Sequence, residues 1–95
     1  MRDKLYYAAI IEYDADGYAI SFPDVAGCVT CADAEHEVID TATDALTGHL
    51  QALLDAGETL PIPTPFMTLL ETCGHNTFAQ LIGVHVHAVP QAEYA

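Results

Sequence analysis

The chain predicts an α+β fold of order βββαβ, a single sheet with one long helix packed on one face. Three observations predict it. Short apolar runs with strand-like alternation fill residues 5–32 and are broken by two turn sequences. A helical apolar period follows from Ala34 to Ala56, and a last alternating run spans Phe78 to Val89.

Leu5 to Tyr13 reads as a strand with two apolar faces. Tyr7, Ala9, Ile11 and Tyr13 fall on one side, and Tyr6, Ala8 and Ile10 on the other. A strand with no polar face until Glu12 is normally covered on both sides. One helix covers one side, so the other is expected to meet a second subunit or a partner. Asp14-Ala15-Asp16-Gly17 supplies turn chemistry: Asp tolerates left-handed backbone and Gly allows positive φ. Tyr18, Ile20 and Phe22 alternate with Ala19 and Ser21 in a second strand, which Pro23 ends because proline cannot donate to a ladder. Gly27 permits the reversal into a third strand, Cys28 to Ala32.

Val38, Ala42, Ala45, Leu46, His49, Leu50, Leu53 and Leu54 form the apolar stripe of the helix, and Gly57 ends it. The amino-terminal cap is ambiguous between Ala34 and Asp33, with Asp33 as the candidate that carries an acceptor and with Glu35 and Glu37 favoured by the amino-terminal dipole. Leu60 to Pro65 is a stiff extended connector, and a short extra helix is expected near 66–71. In the last strand Ile82, Val84, Val86 and Ala88 make the apolar side, opposite Leu81, Gly83, His85 and His87. If that strand joins the first in parallel, its crossover is right-handed. Ile10 and Val84 are both expected to be core positions, where a buried carboxylate would unfold the domain.

Ninety-five residues make one domain, 1–95, with a marginal core of its own. With 52% hydrophobic residues, self-association is expected, as a homodimer or higher oligomer. No apolar run approaches the roughly 20 residues of a membrane helix, and the start lacks a signal-peptide apolar region, so a cytoplasmic protein without membrane contact is expected. Fourteen carboxylates stand against Arg2 and Lys4, giving a net charge of −12. Phosphate backbones are bound by Lys and Arg, so direct nucleic-acid binding is not expected. The field instead suits a basic protein partner.

The residues do not assemble an enzyme. Two-metal phosphoryl chemistry needs converging carboxylates, but the interior of the first strand is Ala8-Ala9-Ile10-Ile11. Cys28-Val29-Thr30-Cys31 lies in an extended segment, where side chains at i and i+3 face opposite ways, so a structural Cys28 is expected. Cys73, His75, His85 and His87 are weak candidates for a metal, because their spacing is not that of a zinc finger; no metal or cofactor is expected. His49 is expected to hydrogen-bond within the core. What remains is a carboxylate set, Asp14, Asp16, Asp33, Glu35, Glu37, Asp40 and Asp44, suited to a cationic protein surface.

The pattern YY-x5-Y-D-x-DGY-x3-FPD-x2-GC-x-T over Tyr6 to Thr30, the Ala45-Leu46…His49-Leu50 helix register and the Gly57-Glu58…Pro61-x-Pro63 exit resemble the amino-terminal domain of HicB antitoxins. The resemblance covers about two thirds of the chain. It implies a partial ribonuclease-H-like fold and an antitoxin that occludes a small basic HicA-type mRNA-cleaving toxin, with no chemistry of its own. Members often carry Ser or Thr where this chain has Ala34. They often continue into a ribbon-helix-helix or helix-turn-helix domain; no basic segment follows the last strand here, and no separate DNA-binding domain is expected. A stand-alone oligomeric relative with another partner, or a metal-responsive binder, is the alternative.

Overall fold

The computed structural model describes residues 2–87, with the side chains of all but Arg2, Asp3 and His87. Strands β1 (Arg2–Asp14), β2 (Gly17–Ser21) and β3 (Val29–Ala32) come first, followed by a 3-10 turn (Glu35–Glu37) and helix α1 (Val38–Asp55). A five-residue helix α2 (Phe66–Leu70) precedes β4 (Thr77–His87). The sheet order is β3-β2-β1-β4. Ala88 and Val89, assigned above to the last strand, lie outside the described residues.

The β1–β2 hairpin closes on the Asp14–Gly17 pair. Asp14 Oδ1 accepts the Asp16 N–H at 2.7 Å, and Gly17 takes φ +140°, a region that favours glycine. A Cβ on Gly17 would also stand 2.8 Å from the Ala32 carbonyl oxygen, so glycine lets β3 close against the hairpin.

All three strand pairings are antiparallel. The last strand therefore needs no right-handed parallel crossover. The chain descends through α1 and climbs back through the connector and α2, so β4 starts beside Glu12 and ends beside Arg2.

Tyr7, Ala9, Ile11, Ile20, Phe22, Ile82, Val84 and Val86 from the sheet meet Val38, Ala42, Leu46 and Leu50 of α1 in one core. This is the face that alternation assigned to the helix. The helix starts later than its apolar period suggested. Ala34 is extended, Glu35–Glu37 forms the 3-10 turn, and no side chain caps either end of that step. Asp33 is not the cap, because Ala34 holds the capping position and carries no acceptor. His49 is half-buried, its Cε1 near Gly27, and has no hydrogen-bond partner among the described residues; it fills space beside the turn instead of bonding in the core.

The second face differs from expectation. Ala8 points away from α1 yet is only 2% exposed, and α2 packs on β1 and β4. The chain's own short helix thus covers part of the face expected to need a second subunit. Ile10, on that same face, is only half-buried and lies outside the core, whereas Val84 is 2% exposed within it.

Two straps hold the connector. Tyr7 donates its hydroxyl to the Pro61 carbonyl at 2.6 Å, and Asp24 accepts the Thr64 N–H at 2.7 Å and hydroxyl at 2.5 Å. Burial first, and then the Asp24 carboxylate, push the Tyr7 phenol above its ordinary value. The folded state therefore keeps the neutral phenol. Its contribution is intact below about pH 10, the unfolded value, and is lost as pH rises through the folded one. Tyr7→Phe, lacking the Pro61 bond, is expected to lose about 1 kcal/mol and to melt with a shallower alkaline fall than the parent. Thermal melts between neutral and alkaline pH would check this.

Candidate functional site

The sheet has two outer edges, and they differ in charge. β3 is short, and the chain turns from its end through Asp33 into the acidic first turns leading to α1. One hollow there is lined by Cys31, Ala32, Asp33, His36, Glu37, Asp40, Thr41 and Asp44. A second is lined by Glu12, Asp14, Asp16, Gly17, Tyr18, Ala19, Cys31, Ala32 and Asp33. They share Cys31, Ala32 and Asp33, so together they form one acidic surface wrapped around the end of β3.

The local reasons are simple. Residues 37, 40 and 44 recur at helical spacing, which sets Glu37, Asp40 and Asp44 along one flank of α1. The hairpin places Asp14 and Asp16 at the tip of β1 and β2, and the register Glu12–Ala19–Cys31 lines Glu12 up with β3. Every one of these carboxylates is exposed, and none is ion-paired among the described residues. Lys4 stands far down β1, its Nζ 5.6 Å from the Tyr6 ring centroid. Unneutralised like charges held this close repel one another, and a cationic partner relieves that repulsion.

Six of the seven carboxylates singled out in the sequence, Asp14, Asp16, Asp33, Glu37, Asp40 and Asp44, line this surface. Glu35 does not; it borders a separate apolar hollow with Tyr13, Tyr18 and Phe78. Glu12 and His36 belong to the surface and were not singled out. Strand alternation contained the signal for Glu12, the polar residue that ends the apolar run Tyr6, Ala8 and Ile10 on its face of β1.

The remaining candidates are scattered, apart from His87, whose side chain lies outside the described residues. Cys73 and His75 sit in the loop before β4, whereas His85 lies opposite Lys4. At about 3.3 Å per strand residue, His85 is roughly 25 Å down β4 from that loop. Among the described residues no three His, Cys, Asp or Glu side chains gather as a metal site. Cys28 is buried and its thiol is pushed up by that burial, while Cys31 is exposed on the other side; both are free. No described helix is long and apolar enough to cross a membrane.

Comparison with known proteins agrees with this architecture. Residues 6–92 match the family described as HicB_like antitoxin of bacterial toxin-antitoxin system. An uncharacterized 14.9 kDa protein from the rep-hol intergenic region of Haemophilus phage HP1 is 36% identical over 61 residues, 64% of this chain and 46% of that one. Antitoxin HicB 1 of Photorhabdus laumondii is 28% identical over 65 residues, 68% of this chain and 42% of that one. The chain thus spans less than half the length of these curated relatives. A chain of the HicA3 and HicB3 toxin-antitoxin complex superposes with a TM-score of 0.71 at 20% identity, covering 84% of this chain and 98% of its own, a likeness of fold. The family match runs from the first strand past the last, over the same sheet and helix that carry the acidic edge, and the chain belongs to the HicB-like antitoxin family of bacterial toxin-antitoxin systems.

Proposed function

We propose that this chain is an antitoxin that binds a small basic HicA-type mRNA-cleaving toxin and holds RNA away from it. The acidic surface around the end of β3 carries the reading: at least seven exposed, unpaired carboxylates converge there, on a family member with a net charge of −12. A toxin that grips RNA needs a cationic surface, and the acidic edge competes for it as RNA would. Inhibition is then occlusion with charge complementarity, and the antitoxin turns over nothing itself. It acts in the cytoplasm, as a homo-oligomer, without binding nucleic acid directly. The compared HicA3–HicB3 complex supports a toxin as the class of partner.

The test is a titration. A purified HicA-type toxin from the same operon cleaves a labelled RNA, and the chain is added in steps. Cleavage is expected to stop near one antitoxin per toxin, with inhibition weakening as salt is raised. Undiminished cleavage at large antitoxin excess, or RNA loss caused by the chain alone, would overturn the reading.

A further inference from the structure

The other outer edge of the sheet is built in the opposite way. β4 is eleven residues long, and Thr77–His87 contains no Asp, Glu, Lys or Arg. Native edge strands are usually protected by brevity, charge, proline or bulges. β3 is short and flanked by acids; β4 has no such device.

Its backbone orientation follows from the ladder. The Tyr13 N–H donates to the Asn76 carbonyl at 3.0 Å, so odd-numbered residues of β1 turn their amides toward β4. Their partners on β4 are even-numbered, Tyr7 with Ile82 and Ile11 with Phe78. The amides of Ala79, Leu81, Gly83 and His85 therefore point outward, and none has a protein acceptor among the described residues. The Leu81 carbonyl accepts Nε2 of its neighbour Gln80 at 3.3 Å, which fits an outward-facing group.

We propose that two copies of this chain pair through β4, edge to edge and antiparallel, to form one continuous eight-stranded sheet. The proposal deepens the self-association put forward above and names its surface. Electrostatics selects the occupant. Two bodies of charge −12 repel, so they meet where carboxylates are absent, and β4 with its neighbours Leu5 to Ile11 is such a stretch. The ends choose the direction. Glu12 flanks the start of β4 and Lys4 its far part. Antiparallel pairing sets the Glu12 end of one copy beside the partner subunit's Lys4, whereas parallel pairing would set like against like. A two-fold axis also closes the assembly at two copies. The acidic β3 edge stays free at each outer end, so a dimer of this form presents two toxin-binding surfaces.

Leu81→Pro in the full chain tests the proposal. Proline there removes an outward N–H and no bond to β1, the situation in which edge strands tolerate it. The parent is expected to sediment as a dimer, and the variant to dissociate at least tenfold more readily with unchanged helical circular dichroism. In the parent, amide exchange at Ala79, Leu81, Gly83 and His85 should be slow when dimeric and fast on dilution. Exchange at the outward amides of β3 should be fast throughout. A folded Leu81→Pro that remains dimeric, or β4 amides that exchange freely in the oligomer, would reject this surface while leaving self-association standing. A parent that is monomeric at high concentration rejects both. If Leu81→Pro fails to fold, the parent's exchange pattern alone decides.

Discussion

Val84→Asp is expected to strip the chain of much of its stability at neutral pH. Val84 lies in the core at 2% exposure, opposite Leu5 on β1 and in the cluster that includes Leu46 and Leu50. No cation lies in that cluster, so the new carboxylate would be buried and unpaired, at a cost of roughly 3–5 kcal/mol. At about 0.05–0.15 kcal/mol per residue a domain of this size has on the order of 5–14 kcal/mol in hand. The substitution removes much of that. Burial raises the folded-state value of the new carboxyl above its unfolded value near 3.9. The part of the deficit that comes from ionisation is therefore absent below about pH 4 and grows as pH rises toward that folded value. The smaller cost of burying the neutral acid in place of valine remains at every pH. Urea midpoints at acidic and neutral pH would measure it. A variant that unfolds with the parent at both would place Val84 outside the core. Ile10→Asp is expected to cost less, because Ile10 is half-buried on the second face and its substituent can reach water.

Reversing Asp40 and Asp44 to Lys is expected to slow toxin association by about tenfold or more at low salt, with the difference narrowing as the Debye length falls to about 8 Å near physiological ionic strength. Both residues line the acidic surface and both are exposed, so stability should change by less than about 0.5–1 kcal/mol. The matched control is Asp55 and Glu58 to Lys at the far end of the helix, which changes the net charge equally. Stopped-flow association with both variants separates a local site from the overall field. Equal slowing by the two would assign the effect to net charge alone, and no slowing by either would move the interface off this edge.

Much of this was readable because the signals are local. The Asp14–Gly17 hairpin, the inward face Tyr7-Ala9-Ile11, the α1 stripe and the gathering of Asp40 and Asp44 each follow from a period or a turn residue within a few positions. The features that were not readable depend on distant chain. Whether β4 joins β1 parallel or antiparallel is decided by how far the connector and α2 carry the chain back, and no residue in β4 encodes that. The helix that packs on β1 and β4, α2, lies nearly sixty positions from Ala8, and its five residues are too few to show an amphipathic face. The helix start slipped from Ala34 to Val38 because periodicity continues through a 3-10 turn without marking it. Glu35 looked equivalent to Glu37 in the sequence, but that tighter turn rotated it away toward Tyr13 and Phe78.

The central strand β1 has one neighbour close by in the sequence and the other far along it. β1 meets β2 within the first hairpin but waits for β4, with Arg2 aligned to His87, before its other side is closed. Such long closures are entropically expensive and slow. Translation delivers the amino-terminal half first, so a newborn copy offers an unzippered flank along nearly all of β1 until its last strand emerges. The interval between synthesis and maturity is therefore the moment at which this polypeptide is most exposed to proteases and to mispairing.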